Sequence, residues 1–426
     1  MAQEKIKFDV PDSPFPFIPP IAELLSWLGG PTGLHTPIYW LHQDLRLNKP
    51  DLKTLRKACQ EGVTPRIAEM IEANIHQGAR EKGFIELLEE AVPTEPVVKA
   101  TNGTKWLRAA RGLLEGANRH QPTKLELPRT FAFLEQRSVA EGQMMLAFHR
   151  ANNTNVSQVE RLARIQTAFC ETCRHHTLLA PQEIQIYSNV VVDANRSGQS
   201  KSLELVADAL KLTFSLRTDF YHQLLASFMA DMLPLRETLQ LSADLDDALV
   251  VHGAMGQLTP KLKQGKLVTP TYQLYELWRG SFSAPNERPL SYRAMALHLP
   301  RPEGSRTRVN ENACLQDILD AADETRRRQL KEWRSGTVPQ ADHLTKFLES
   351  LTGEVYGAFL PFIITRAATA WTQWIEYERV HLDSLVKKVP ALDDYINFEW
   401  ILAKFSQYPE YWQHAMAQAA KGQPEP

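Results

Sequence analysis

The chain has 426 residues, with 48 Lys and Arg against 50 Asp and Glu, a formal net charge of −2 and an apolar share of 43%. That length allows two or three domains, and that apolar share excludes wholesale disorder. Near-neutrality excludes a global attraction to nucleic acid or membrane, so any such attraction has to be local.

Residues 1–35 form an irregular N-terminal segment. Pro11, Pro14, Pro16, Pro19 and Pro20 cannot sit inside a helix. The opening Met-Ala-Gln-Glu-Lys-Ile-Lys places charges where a secretory leader needs an apolar run. A cytoplasmic location with reduced thiols is therefore expected. Ile21 to Leu28 fits one short helix, stopped by Gly29-Gly30-Pro31.

Residues 36–197 read as an N-terminal helical domain. Within it, Trp40-Leu-His-Gln-Asp-Leu-Arg-Leu47 resembles the opening strand of photolyases and cryptochromes. The rest of the chain departs from that family: no α/β domain follows, and its flavin-binding segments are missing near the C-terminus. No cofactor is expected. Thr64-Pro65 is a helix start, and Trp106, Leu107, Ala110, Leu113 and Leu114 follow helical spacing. So do Val159, Leu162, Ile165 and Phe169, in a helix that Pro181 is expected to end. Ile184 to Val192 is rich in β-branched residues and is open to a strand assignment.

The same domain holds a possible metal site. Cys170-Glu-Thr-Cys173 is followed by His175 and His176, and such a pair can give thiolates and imidazole to zinc. A second pair at defined spacing is missing, and Cys59 and Cys314 are single and distant. The cysteines also continue the apolar face of Leu162, Ile165 and Phe169. Buried free thiols are the plainer expectation, with Cys170, Cys173 and His176 held as the metal candidates.

Residues 198–257 center on the clearest helix in the chain. Ser202 caps it, Leu203, Val206, Leu210, Phe214, Arg217, Tyr221, Leu224 and Phe228 recur every three or four positions, and Pro234 closes it. Such a helix spans about 45 Å at about 1.5 Å per residue. Arg217-Thr-Asp-Phe-Tyr-His222 resembles the Arg-x4–6-His pattern of helical ribonucleases of the HEPN type. That resemblance implies that Arg217 and His222 act at an RNA phosphate and 2′-hydroxyl. So loose a spacing recurs by chance, and Arg293 to His298 is a second match. Asp244, Asp246 and Asp247 resemble part of an acidic Mg²⁺-binding run but read as first-turn carboxylates of a helix.

Residues 258–308 break the helical pattern with six prolines. Lys261, Lys263, Lys266, Arg279, Arg288, Arg293, Arg301, Arg306 and Arg308 stand against three glutamates, a local net charge of +6. Tyr272, Tyr275, Trp278, Phe282 and Tyr292 are interleaved. A second basic stretch, Lys99 to Arg129, includes Lys105, Arg108 and Arg111 and carries +5, which leaves −13 for the remainder. Basic side chains among aromatics suit nucleic acid, with charges on phosphates and rings on bases. They suit an acidic protein partner as well.

Residues 309–420 read as a C-terminal helical domain. Asn310 to Arg334 runs from acidic to basic, as the helix dipole favours, with Gly336 after it. Val355 to Ile375 has a membrane-like composition, but the central Arg366 marks it as a buried helix, and no membrane partner is expected. Breaks are expected at Gly353, Pro390 and Pro409.

The expected fold is mainly α: an irregular multi-helix bundle or stacked helix pairs, with a Pro-rich loop and short-strand insertion around 258–308. Phosphate loops, dinucleotide fingerprints, His-Glu-x-x-His and Gly-x-Ser-x-Gly are missing from the sequence. The expected function is therefore a non-catalytic binding subunit of a nucleic-acid-handling complex, with other protein subunits beside it and an anionic partner on 258–308. The alternatives are a helical enzyme, HEPN-like or metal-dependent, and a structural interaction scaffold.

Overall fold

The structure, a computed structural model, describes residues 17–28, 54, 63–70, 73, 101–118, 125–196, 202–234, 243–282, 288–300, 315–353 and 358–421. It is mainly α-helical, with one small two-stranded sheet among the described residues. The chain divides into two compact units, one reaching Asp231 and the other starting at Met232, except that Trp27–Gly29 counts with the second and Ala391–Ile396 with the first.

The first unit holds α1 (Ile21–Trp27) up to Ser26, then α2 (Asn102–Asn118), α3 (Pro128–Asn153), α4 (Gln158–His176), α5 (Pro181–Ala194) and most of α6 (Leu203–Met232). Helix α4 starts where Ser157 accepts a hydrogen bond from the Glu160 N–H, and it buries Leu162, Ile165, Phe169, Cys170 and Cys173. It stops at His176. Pro181, expected to end it, instead opens α5, where a missing N–H costs nothing. Ile184 to Val192 lies in α5 and is not a strand. Ile184, Tyr187 and Val191 fall on one buried stripe, and burial at helical period overrides β-branched preference.

Helix α6 is the spine read from the sequence. Ser202 accepts from the Leu205 N–H at 3.2 Å. Phe214, Leu216 and Phe220 are buried, with Phe220 against Trp106 of α2 and Phe133 of α3 at ring separations of 5.1 and 5.5 Å. Near its end Asp231 caps α3, accepting from the Thr130 N–H at 2.9 Å and from Arg129 N at 3.2 Å.

The second unit includes α7 (Ala243–Gly256), which has Asp244, Asp246 and Asp247 among its first five residues. Strands β1 (Lys261–Lys263) and β2 (Lys266–Val268) pair antiparallel, and α8 (Pro270–Ser281) and α9 (Tyr292–Ala296) follow. The remaining helices are α10 (Leu315–Arg334), α11 (Ala341–Thr352), α12 (Phe359–Lys388), α13 (Phe398–Phe405) and α14 (Tyr408–Lys421). The breaks at Gly353, Pro390 and Pro409 fall at or beside the ends of these helices. Helix α12 buries Leu360, Ile364, Ala368, Trp371, Trp374 and Ile375, and its indoles pack on Phe405 of α13 and Tyr408 of α14. Arg366 lies over the Phe362 ring at 5.4 Å. Among the described residues no helix is long and apolar enough to cross a membrane.

Within the stretch 258–308, the described residues 258–282 and 288–300 hold more regular structure than the prolines imply. Helix α8 takes Pro270 in its first turn, with the Thr269 side chain accepting from the Tyr272 N–H. Tyr275 and Trp278 sit in the core at 1% and 2% exposure, so two of the interleaved aromatics are packing residues.

Candidate functional site

The hairpin is built by its turn. Gln264 and Gly265 both have positive φ, 53° and 73°, which is the two-residue geometry whose twist matches antiparallel strands. Glycine occupies its conformation without strain there. The register then fixes the faces. Lys261 pairs with Val268, and Lys263 pairs with Lys266. Directly opposed residues share a face, as do residues two apart on one strand. All three lysines therefore project from one side of the hairpin, with Leu262 and Leu267 on the other. All three are exposed, and none has an ion-pair partner among the described residues.

Beside the hairpin lies an open groove of about 920 Å³, bordered by the three lysines, Tyr272 and Glu276 of α8, and Arg334 of α10. That volume is toward the upper end of ordinary ligand clefts, ~300–1,000 Å³. Tyr272 remains 42% exposed. The Arg334 guanidinium lies 3.4 Å from the Tyr292 ring center and 5.0 Å from that of Tyr272, and it pairs with Glu276 at 3.5 Å. Glu276 also accepts from Tyr292 Oη and, at 2.7 Å, from Arg279. Burial, and then the bond to Glu276, push the Tyr292 phenol up to about 12. It therefore stays a neutral donor. On the wall of the groove Tyr272 and the Arg334 guanidinium are thus set against each other, and Tyr292 packs on the guanidinium.

The other basic residues fare differently. Arg279 is held by Glu276, donates Nε–H to the Leu290 carbonyl at 2.6 Å and lies over Tyr292 at 4.3 Å, so it is part of the frame. Arg288 and Arg293 are exposed but do not border the groove. Arg301, Arg306 and Arg308 lie outside the described residues. In the first unit, Lys105 donates to Asn102 at 3.2 Å and Arg111 pairs with Glu135 at 3.2 Å. Arg108 lies on α2, and its side chain is outside the described set. The two basic stretches belong to different units.

The ribonuclease-like pair does not form a site. Arg217 is bound to Glu23 at 3.1 Å, and His222 has no exposed surface. Burial lowers the imidazole to about 3, so it is neutral at ordinary pH and out of reach of an RNA hydroxyl. Cys170 and Cys173 are buried, and burial pushes the Cys173 thiol up, away from the thiolate that zinc needs. His176 closes α4, its ring nitrogens pushed down by burial and by Arg137. Among the described residues no group of three or more His, Cys, Asp and Glu is arranged to hold a metal ion. The resemblance segment at Trp40–Leu47 falls outside the described residues.

Two features escape sequence reasoning. Arg334 joins the groove although it ends a helix read only for its dipole. Arg137, Asp219 and Glu141 form a buried polar cluster in the first unit, where Arg137 pairs with Asp219 at 2.7 Å and Glu141 accepts from the Gly103 N–H at 2.7 Å. The available hint was that Arg137 and Glu141 fall, four residues apart, on the side of α3 that also carries Leu134 and Met144.

The fold and groove define a helical protein with a basic, aromatic-walled surface site. No protein family, curated protein or solved structure matches the chain.

Proposed function

We propose that the protein is a non-catalytic helical binding subunit of a nucleic-acid-handling assembly, and that its anionic partner docks on the β1–β2 hairpin and the adjoining groove. One observation carries this reading: Lys263 and Lys266 face each other across the hairpin with Lys261 on the same face, and none is ion-paired among the described residues. Like charges directly opposed destabilise a strand pair. A bound polyanion relieves that repulsion. The experiment is a salt series of binding to DNA and RNA by the full chain and by its Lys261→Gln, Lys263→Gln, Lys266→Gln triple variant. Loss of three phosphate contacts flattens the log–log salt slope by about 2 on a single strand, at about 0.7 per contact. An unchanged slope, or no binding by the parent protein, overturns the reading.

A further inference from the structure

We infer that the groove takes a single-stranded nucleic acid, with one base stacked on Tyr272 and its neighbouring phosphates on the hairpin lysines. This rests on the polyanion reading above and adds the class of polyanion. Three observations support this, of which the first separates a single strand from a duplex and the third separates a nucleic acid from an acidic peptide.

The first is the ring. Tyr272 borders the groove, keeps 42% of its surface exposed and has the Arg334 guanidinium over it at 5.0 Å. Its N–H is held by Thr269 at the start of α8, so the residue projects from a rigid first turn. A ring held in place loses little freedom when a base stacks on it. Bases are free to stack on protein rings in single strands, whereas in a duplex they are stacked on each other.

The second is the lysine spacing. Lys261 and Lys263 are two residues apart on one strand, so about 6.6–6.8 Å separates their backbone positions. Successive phosphates of an extended strand lie at a similar step. Ammonium groups on flexible stems track phosphates as point charges and do not require a fixed fork geometry.

The third is the balance of charge around the ring. Arg334 and Arg279 are both engaged by Glu276. Among the described residues that border the groove, the cations without an ion-pair partner are the three lysines, and they stand beside an exposed aromatic ring. That combination suits a base and its phosphates better than an acidic peptide.

The test measures binding of three probes to the full chain by fluorescence anisotropy: a short oligothymidylate, a blunt DNA duplex of the same length and polyglutamate. Tyr272→Ala is expected to weaken oligothymidylate binding by about 5- to 150-fold, the loss that follows from removing one base–aromatic stack. Binding of duplex and polyglutamate should stay within twofold of the parent. Tyr272→Phe keeps the ring and should bind oligothymidylate as the parent does. Tyr272→Leu keeps apolar bulk without a π-face and should behave as Ala, so a folding defect in one variant leaves the comparison intact. If Tyr272→Ala and Tyr272→Leu bind oligothymidylate like the parent, or if the parent prefers duplex or polyglutamate, the single-strand inference is overturned while the polyanion reading stands. If the parent binds none of the three, both fall together.

Discussion

Arg137 of α3 and Asp219 of α6 form an ion pair of 2.7 Å in which neither side chain is more than 1% exposed. Asp219 also accepts from the Leu178 N–H at 2.8 Å and from Gln223 at 3.0 Å, while Arg137 donates to the His176 carbonyl at the end of α4. One charge pair thus ties α3, the α4–α5 corner and α6 together. A buried pair gains little over apolar packing, but removing one partner strands a charge, at a cost of about 3–5 kcal/mol. Asp219→Ala or Arg137→Ala should lower stability by that amount in urea denaturation. The double variant Arg137→Met, Asp219→Leu should recover much of the loss. A double variant no more stable than the singles would show that the pair itself supports the fold.

Glu141 makes stability depend on pH in the direction opposite to most carboxylates. Burial raises its carboxyl to about 7, against the lowering effects of the Gly103 N–H, Thr101, Arg137 and Lys105. Because the folded value lies above the ordinary 4.5, the native state holds this proton more tightly than the unfolded chain. The contribution is most favourable below about pH 4.5, declines as pH rises to about 7 and is flat above. On the order of 3 kcal/mol separates the two ends. Glu141→Gln keeps an acceptor for Gly103 and cannot ionise. It should raise the melting temperature at pH 8 and leave it nearly unchanged at pH 5. Equal shifts at both values would show that the carboxyl does not titrate in this window.

The helical frame was largely legible because its signals are local. Ser202, a three-and-four apolar spacing and Pro234 delimit α6 to within two residues. Helix α5 was less legible because Ile184, Val190 and Val191 prefer strands intrinsically, and only their burial against neighbours settles the matter. The lysines of the site were legible as charge, but their common face was not. Three-residue strands carry almost no periodicity, and Gln264-Gly265 lacks the Asn-Gly or Asp-Gly signature of a tight hairpin turn. Arg334 was hidden more deeply, since its approach to Tyr272 and Tyr292 is a tertiary contact across some 60 and 40 positions of chain. His222 shows the converse. Its spacing from Arg217 resembled a catalytic pair, and full burial removes that meaning.

Gly103 sets how closely α2 approaches α3. A Cβ at this position would lie 2.6 Å from the Ser138 Cα and 2.8 Å from its Cβ, so backbone has to move. The displacement would also stretch the Gly103 N–H bond to Glu141. Gly103→Ala should cost about 1–3 kcal/mol, the usual penalty of overpacking, despite alanine's better helix propensity. A thermal melt gives the sign directly, and stabilisation would mean that the two helices separate at little cost.

Stability and binding should oppose each other at the hairpin. Lys263 and Lys266 are directly opposed, and cross-strand like charges weaken a strand pair where opposite charges strengthen it, each by roughly 0.2–1 kcal/mol. Lys266→Glu turns a repulsion into an attraction on an exposed face and touches no packing. Hydrogen exchange of the β1–β2 amides should slow in this variant by about 2- to 30-fold if the two effects add. Binding of a polyanion should weaken at the same time, because the change removes one cation and places a carboxylate among the other two. A charge arrangement kept only for the fold predicts the opposite pairing, with faster exchange and undiminished binding. Measured on one variant, the two readouts therefore separate a hairpin shaped by its ligand from one shaped by its own stability.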